Sequence, residues 1–453
     1  MTNHQLKAEG DINLTEARTR WHGSLSSETS EILAKDSRIF LHQSLSTPCL
    51  DVLTGCEGVY IINHNGRKIF DFHGNNLHQV GHKNPYVIDA IKKQLDELSF
   101  SPRRYTNIKA INLANRLSAL APPDLNRVLF APGGAEANSM ALKLARIVTG
   151  KHKVLSMWGS FHGAGLDTIS ASGESGFRKN IGPLLPGVEH VPAVDTYRPL
   201  WENDSNQEAL VRYIRYVFET EGDIGAFIAE TIRNTDVQVP PISFWQQVRA
   251  LCNEFGVLLI LDEIPIWLGR TGKMFAFEHF GIVPDMVTIG KGLGGGIIPM
   301  AALITKDSYN VAIEHSIGHF THEKSPVGSA AALAVLNFME KENLLQQSQT
   351  KETYIYKRLA AMKERFPIIG DIRGIGLLWA IELVTDRNTK ERAYAEAEYI
   401  MYQCLENGLS FKVSKGNVIT LAPPLIITMK ELEEALNILE NAFTNQLHRN
   451  ETK

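Results

Sequence analysis

Cysteine is scarce in this chain, with four in 453 residues. They stand at Cys49, Cys56, Cys252 and Cys404 and form no C-x-x-C pair. That spread argues against a disulfide framework or a thiolate zinc site, and it fits a reducing cytoplasm. A basic excess is missing too. Lys plus Arg number 46 against 50 for Asp plus Glu, a formal net charge of −4. Neither a nucleic-acid footprint nor a polybasic membrane patch is therefore expected. Apolar runs are short, as in VLLIL at 257–261, against the roughly 20 residues that span a bilayer. Residues 1–21 are polar and charged, without the apolar core of a signal peptide. No internal repeat or low-complexity tract is present. What remains is an ordinary globular composition, 44% hydrophobic and 21% charged, with enough apolar material for sizeable cores. A cytoplasmic enzyme of two or three domains, or of one large domain with a smaller satellite, is the expectation.

The pattern changes along the chain. Residues 1–50 show weak periodicity and read as an arm or short helices. Residues 51–73, DVLTGCEGVYIINHNGRKIFDFH, read as strands about an Asn65–Gly66 hairpin turn. From 84 to 330, short apolar runs alternate with helical segments, the pattern of an α/β domain. Strands are expected at 127–131, 153–157, 226–230, 257–262, 286–289 and 300–305, and a helix at 329–345. The stretch 346–453 mixes helices and short strands. Its last helix is well marked: Thr428 and Glu431 are spaced for a capping box. Leu432, Ala435, Leu436, Leu439, Ala442 and Phe443 then share one helical face. The fold expected is α/β, with a large central domain (76–330) on a mainly parallel sheet. A smaller α+β domain would come from both chain ends, 1–75 giving an arm and part of it, and 331–453 the rest.

Three segments carry chemistry. In RVLFAPGGAEANSMALKLAR (127–146) a strand runs through Gly133–Gly134 into a helix. Such a turn lets a ligand approach the backbone and offers helix-start N–H groups to a phosphate, though an ordinary strand–helix connection looks the same. LLILDE (258–263) ends an apolar strand in Asp262 and Glu263, where open α/β sheets place ligands. The acidic strand of a nucleotide hydrolase would need a G-x-x-x-x-G-K-[ST] loop, and none is found; a helix cap is the plain alternative. In MVTIGKGLGGGIIP (286–299) Lys291 follows a short strand between glycines, and Ile297 replaces the third glycine of a dinucleotide loop. A lysine held there is either a solvated loop residue or an amine nucleophile. Taken together, a phosphate cup, a strand-end aspartate and a later strand-end lysine are the parts that pyridoxal phosphate requires.

With these motifs in place, the stretch from about 50 to 443 resembles the class III aminotransferase family, the ornithine/ω-aminotransferase subgroup of fold type I pyridoxal-phosphate enzymes. The motifs are IGKGLGGGIIP, DEIPIWLGRTG, FHG at 161–163, HFTHEKSPVG, DIRGIGLLWAIEL and LAPPLIIT. The resemblance implies Lys291 as the Schiff-base lysine and Asp262 as partner of the ring nitrogen. It implies that the Gly134 and Ala135 backbone holds the phosphate and that Phe161 stacks on the ring. Glu230 is placed among the cofactor-binding residues, and Arg270 in a structural turn. Thr321 would reach the phosphate of a neighbouring subunit, which implies a homodimer with composite sites. No metal is implied.

The sequence also departs from the family pattern. Pro265 stands where D-E-V-Q has glutamine, and ETIRNTDV from Glu230 replaces E-P-x-x-G-x-G-G, introducing Arg233 and Asp236. The arginine that many members use for a substrate carboxylate is replaced near Val413 and Thr420, with Lys412 and Lys415 close by. Candidates for a substrate's anionic end are Arg103, Arg104 and Arg233, with Lys412 and Lys324 after them. Interface salt bridges are the competing reading for Arg103 and Arg104. His73, His82 and His162 are proton donors or packing residues. FAPGGAEANSMALKLAR, AETIRNTDVQVPP, LDEIPIWLGRTG and HEKSPVGSAAAL further resemble the branch that deaminates 1-hydroxy-2-aminoethylphosphonate, a small phosphonate amine, by elimination. The expectation is a pyridoxal-phosphate-dependent ammonia-lyase. The alternatives are an ω-amino-acid transaminase and a non-catalytic cofactor-binding protein.

Overall fold

The computed structural model describes residues 15–43 and 49–451. Its centre is a seven-stranded sheet in the order Leu125–Ala131, Ala301–Lys306, Met286–Ile289, Leu258–Asp262, Ile224–Glu230, Lys153–Met157, Val188–Val191. Ala301–Lys306 is antiparallel to both its neighbours, and the other pairings along the sheet are parallel. Strands 224–230 and 258–262 are buried along their full length, which explains why their sequences are continuously apolar rather than alternating. The expected strands at 127–131, 153–157, 226–230, 257–262, 286–289 and 300–305 all appear, within two residues at each end. Val188–Val191 was not anticipated. It is a four-residue edge strand of sequence VEHV, too short and too polar to stand out.

Two smaller sheets flank the central one. Leu53–Glu57, Tyr60–Asn63 and Lys68–Asp71 form a meander, and Leu409–Ser410 adds to it in parallel. The two ends of the chain thus meet in one sheet. The expected hairpin turn is present, with Gly66 at φ +79 and its N–H donating to Asn63 O at 2.9 Å. The third sheet contains Ile369–Ile375, Leu378–Asp386, Val418–Leu421 and Lys412–Ser414, with Glu391–Arg392 paired to its second strand. The helix Met429–Glu451 packs on the helix Tyr394–Glu406 and carries the capping box foreseen: Glu431 N donates to Thr428 Oγ1 at 3.2 Å and Thr428 N to Glu431 Oε2 at 2.8 Å. Residues expected as an arm include the helices Glu16–Ser24 and Ser27–Ile39; positions 1–14 and 44–48 lie outside the described residues. No disulfide joins the four cysteines, all of which are among the described residues. Among the described residues no helix is long and apolar enough to cross a membrane.

Arg270 ties the central domain to the third sheet. It is fully buried, donates to Leu377 O at 3.1 Å and also reaches Pro423 O. That is the structural part its turn implied.

Candidate active site

The parallel strands run in one direction, so their C-terminal ends gather on one edge of the sheet. There Glu230 and Asp262 are register partners, as are Asp262 and Thr288. The edge opens into a cavity of about 460 Å³ lined by Gly134, Ala135, Asn138, Phe161, His162, Glu230, Asp262 and Lys291, with Ile264 and Pro265 also on its wall. Seven positions expected to act on a cofactor were Gly134, Ala135, Phe161, Glu230, Asp262, Lys291 and Thr321. The structure brings the first six together here.

Asp262 is held by an organised shell. Its Oδ2 accepts from Asn138 Nδ2 at 2.8 Å and from His162 Nδ1 at 2.9 Å, and its Oδ1 accepts from Ile264 N at 3.1 Å. Asn138 is aimed in turn by Thr288, whose hydroxyl donates to Asn138 Oδ1 at 2.7 Å. The carboxylate is 2% exposed, so it works in a medium where charge interactions are strong. His162 Nε2 is buried without a hydrogen-bond partner. Neither Asn138 nor Thr288 was foreseen. The only sequence signal was a polar residue on the buried face of the helix Gly134–Thr149. Glu263 follows Asp262 but points the other way, as alternation along a strand requires. It accepts from Thr231 Oγ1, Ala276 N and Phe277 N, and burial pushes its pKa up to about 7.

Glu230 positions two cavity walls: Oε1 accepts from Phe161 N at 3.1 Å and Oε2 from Asn234 N at 2.9 Å. Burial raises its pKa above the usual carboxylate value. Phe161 is 38% exposed, its ring open to the cavity and backed by Phe177 at a 4.6 Å centroid distance. Lys291 begins the turn after the strand Met286–Ile289 with φ +47, a conformation uncommon for a residue with a side chain and frequent at functional sites. The glycines beside it have a packing reason, since a Cβ on Gly292 would lie 2.3 Å from Gln79 Oε1.

The helix Gly134–Thr149 starts at the cavity with no side-chain cap. A Cβ on Gly134 would come within 2.7 Å of Ile264 Cδ1, so that bare backbone forms a tight cradle. Uncapped helix-start N–H groups and the positive end of the dipole suit a phosphate. A buried carboxylate suits a protonated ring nitrogen, a half-open phenyl suits a planar face, and a lysine suits a carbonyl. The donor set fits pyridoxal phosphate.

The other foreseen residues lie elsewhere. Thr321 is exposed in the segment before the helix Pro326–Lys341 and does not line this chain's cavity. Arg103 and Arg104 are exposed as well. Arg103 Nη2 sits 2.6 Å from His319 Nε2, Asn107 Nδ2 donates to Lys324 O at 2.9 Å, and Phe100 packs on His322. The segments 100–107 and 319–324 thus form one surface. Arg233 is not among the cavity's lining residues; its side chain, 11% exposed, pairs with Asp236 at 3.3 Å and Glu174 at 3.4 Å. Asp236 also meets Lys415 at 2.5 Å, and its backbone oxygen accepts from Arg373 Nε at 3.0 Å. Its carboxyl is held well below the usual range by these cations, against the opposing effect of burial. His82 donates to Asp71 at 2.9 Å and packs on His78.

Comparison with known proteins agrees with this architecture. The family model "Aminotransferase class-III" matches residues 43–443. The (R)-1-hydroxy-2-aminoethylphosphonate ammonia-lyase of Vibrio splendidus is 52% identical, over 97% of this chain and 95% of that protein. A leucine/methionine racemase of Thermococcus litoralis is 36% identical, over 92% and 95%. Among solved structures, taurine:2-oxoglutarate aminotransferase from Bifidobacterium kashiwanohense, in complex with PLP and glutamate, superposes with a TM-score of 0.86. It is 28% identical and covers 93% of this chain and 98% of its own.

Proposed function

Because the chain belongs to the class III aminotransferase family, whose cofactor is pyridoxal phosphate, we propose that it is an ammonia-lyase. It converts 1-hydroxy-2-aminoethylphosphonate to phosphonoacetaldehyde and ammonia. The observation that carries this reading is the 52% identity, over 97% of the chain, to a relative bearing that activity in its name. The cavity supports it. No arginine is among its described lining residues, whereas a 2-oxo acid acceptor is best gripped by a bidentate arginine fork. Pro265, on the cavity wall, offers no side-chain donor at the position where glutamine is usual.

When bound, pyridoxal phosphate supplies an electron-withdrawing ring that acidifies the carbon bearing the substrate's nitrogen. Asp262 Oδ2, fixed by Asn138 and His162, keeps a proton on the ring nitrogen. Phe161 would hold the plane of the ring, and the Gly134 helix start would hold the phosphate. Lys291 Nζ would take the proton from the amine-bearing carbon of the substrate. The electron pair left behind would form a carbon–carbon double bond as the neighbouring C–O bond breaks, and the same Nζ, then protonated, would give the leaving hydroxide its proton. Water is lost in this step and regained when the product imine hydrolyses, so the net products are aldehyde and ammonia. His162 Nδ1 is committed to Asp262, and its part is to orient that carboxylate.

The enzyme is a cytoplasmic homodimer in this reading. Thr321, with Arg103 and Arg104 on the same surface, then serves the neighbouring subunit's site. The test is product formation over many enzyme equivalents with substrate alone. Ammonia and aldehyde should accumulate without a 2-oxo acid. If product forms only with pyruvate, and alanine appears alongside it, the protein is a transaminase instead.

A further inference from the structure

The lyase reading leaves the partner of the substrate's anionic end unassigned within the subunit. Strand Lys412–Ser414 pairs antiparallel with Val418–Leu421, and Lys412 lies directly opposite Thr420, whose hydroxyl donates to Lys412 O at 3.0 Å. Residues opposed in this way project from the same face of a sheet. The end of strand Lys68–Asp71 is stitched between the same two stretches. Phe72 N donates to Ser410 O at 2.8 Å, and Ala422 N donates to Phe72 O at 2.8 Å. Ser410 is two residues before Lys412, and Ala422 is two after Thr420. His73 therefore leaves the sheet beside the Lys412–Thr420 pair. Burial holds His73 at a pKa of about 4, with Lys412 the next influence and Lys291 also pressing on it. From His73 the chain runs directly into the cavity wall: Asn76 Nδ2 donates to Asn234 Oδ1 at 2.8 Å, and Leu77 and Asn234 both line the cavity that holds Lys291. Across from Lys412, Thr420 is short, uncharged and buried.

We propose that Lys412, with His73 beside it, seats the substrate's phosphonate next to Lys291. The inference rests on the lyase reading for the identity of the substrate. An ammonium with three rotatable donors suits a tetrahedral dianion, whereas a planar carboxylate is better matched by an arginine fork. Lys412 therefore selects phosphonates over carboxylates of the same length, and Thr420 leaves the room a third oxygen needs.

The test uses cofactor-loaded wild type, Lys412→Met and Lys412→Arg. Lys412→Met keeps the length of the side chain and removes the charge. Its kcat/KM for the phosphonate should fall roughly ten- to a hundredfold, the loss of a charge-assisted contact, mainly through KM. Lys412→Arg should recover part of it. Turnover of 1-amino-2-propanol, which carries a methyl in place of the phosphonate, should be unchanged. Calorimetric titration of ethylphosphonate should show the same ten- to hundredfold weakening in Lys412→Met without any turnover, on the same scale as that contact. No binding to wild type, equal affinity in both proteins, or an equal loss with 1-amino-2-propanol overturns the proposal. If wild type makes no ammonia without an acceptor, the lyase reading fails, while the ethylphosphonate titration still decides the role of Lys412.

Discussion

Replacing Asp262 by Asn probes the electrostatic centre of the site with almost no change of shape. Three donors converge on this carboxylate: Asn138 Nδ2 and His162 Nδ1 on Oδ2, and Ile264 N on Oδ1. An amide has one acceptor oxygen, so in either rotamer at least one buried N–H faces another donor. An unsatisfied buried group costs about 1–3 kcal/mol, a stability loss that this large domain should survive. The functional loss should be greater. A neutral partner no longer favours the protonated ring nitrogen, and removing one pre-organised electrostatic group costs about a hundred- to a thousandfold in kcat. The assay is ammonia release with substrate alone, normalised to bound cofactor by its absorbance. His162→Phe keeps the charge and removes one donor, so its loss should be smaller than that of Asp262→Asn. A cofactor-loaded Asp262→Asn enzyme turning over at the wild-type rate would refute the reasoning. So would a larger loss in His162→Phe.

Two further outcomes follow from the same geometry. Borohydride reduction of the yellow holoenzyme should leave a cofactor adduct on Lys291; Lys291→Ala should retain part of its cofactor affinity through the Gly134 helix start but lose turnover, and peptide mapping to another lysine would contradict the assignment. Acid should destabilise the fold: burial holds His78, His190 and His279 at about 4 against 6.5 when unfolded, so the unfolded chain binds more protons between those values and stability falls as pH drops through them. Glu263, raised from 4.5 to about 7, protonates first in the folded state and offsets part of this above pH 4.5. Melting temperatures at pH 7 and pH 5 check the sign, and a rise on acidification would count against it.

The sequence by itself determined the features that act over a few residues. Buried strands read as apolar runs because both of their faces are covered. The capping box at Thr428 and Glu431 was legible because both partners lie within one turn. The helix start at Gly134, the strand-end Asp262 and the glycine-flanked Lys291 were each visible as local chemistry, although each alone had a plain alternative. The edge strand Val188–Val191 escaped notice because its stability comes from pairing with Lys153–Met157, not from its own four residues. Only the tertiary structure decided which distant groups meet. Parallel strands with crossover connections bring Asn138 and His162 onto the Asp262 carboxylate and Thr288 onto Asn138, and no local pattern encodes that order. Arg233 looked like an anion-binding group in the sequence, yet folding surrounds it with Asp236 and Glu174, because a charge drawn into a low-dielectric interior needs a counter-charge. The segments that carry Lys412 and His73, 339 residues apart by their numbering, lie side by side because two stretches of the chain share backbone hydrogen bonds, a placement that sheet register sets and side-chain identity does not.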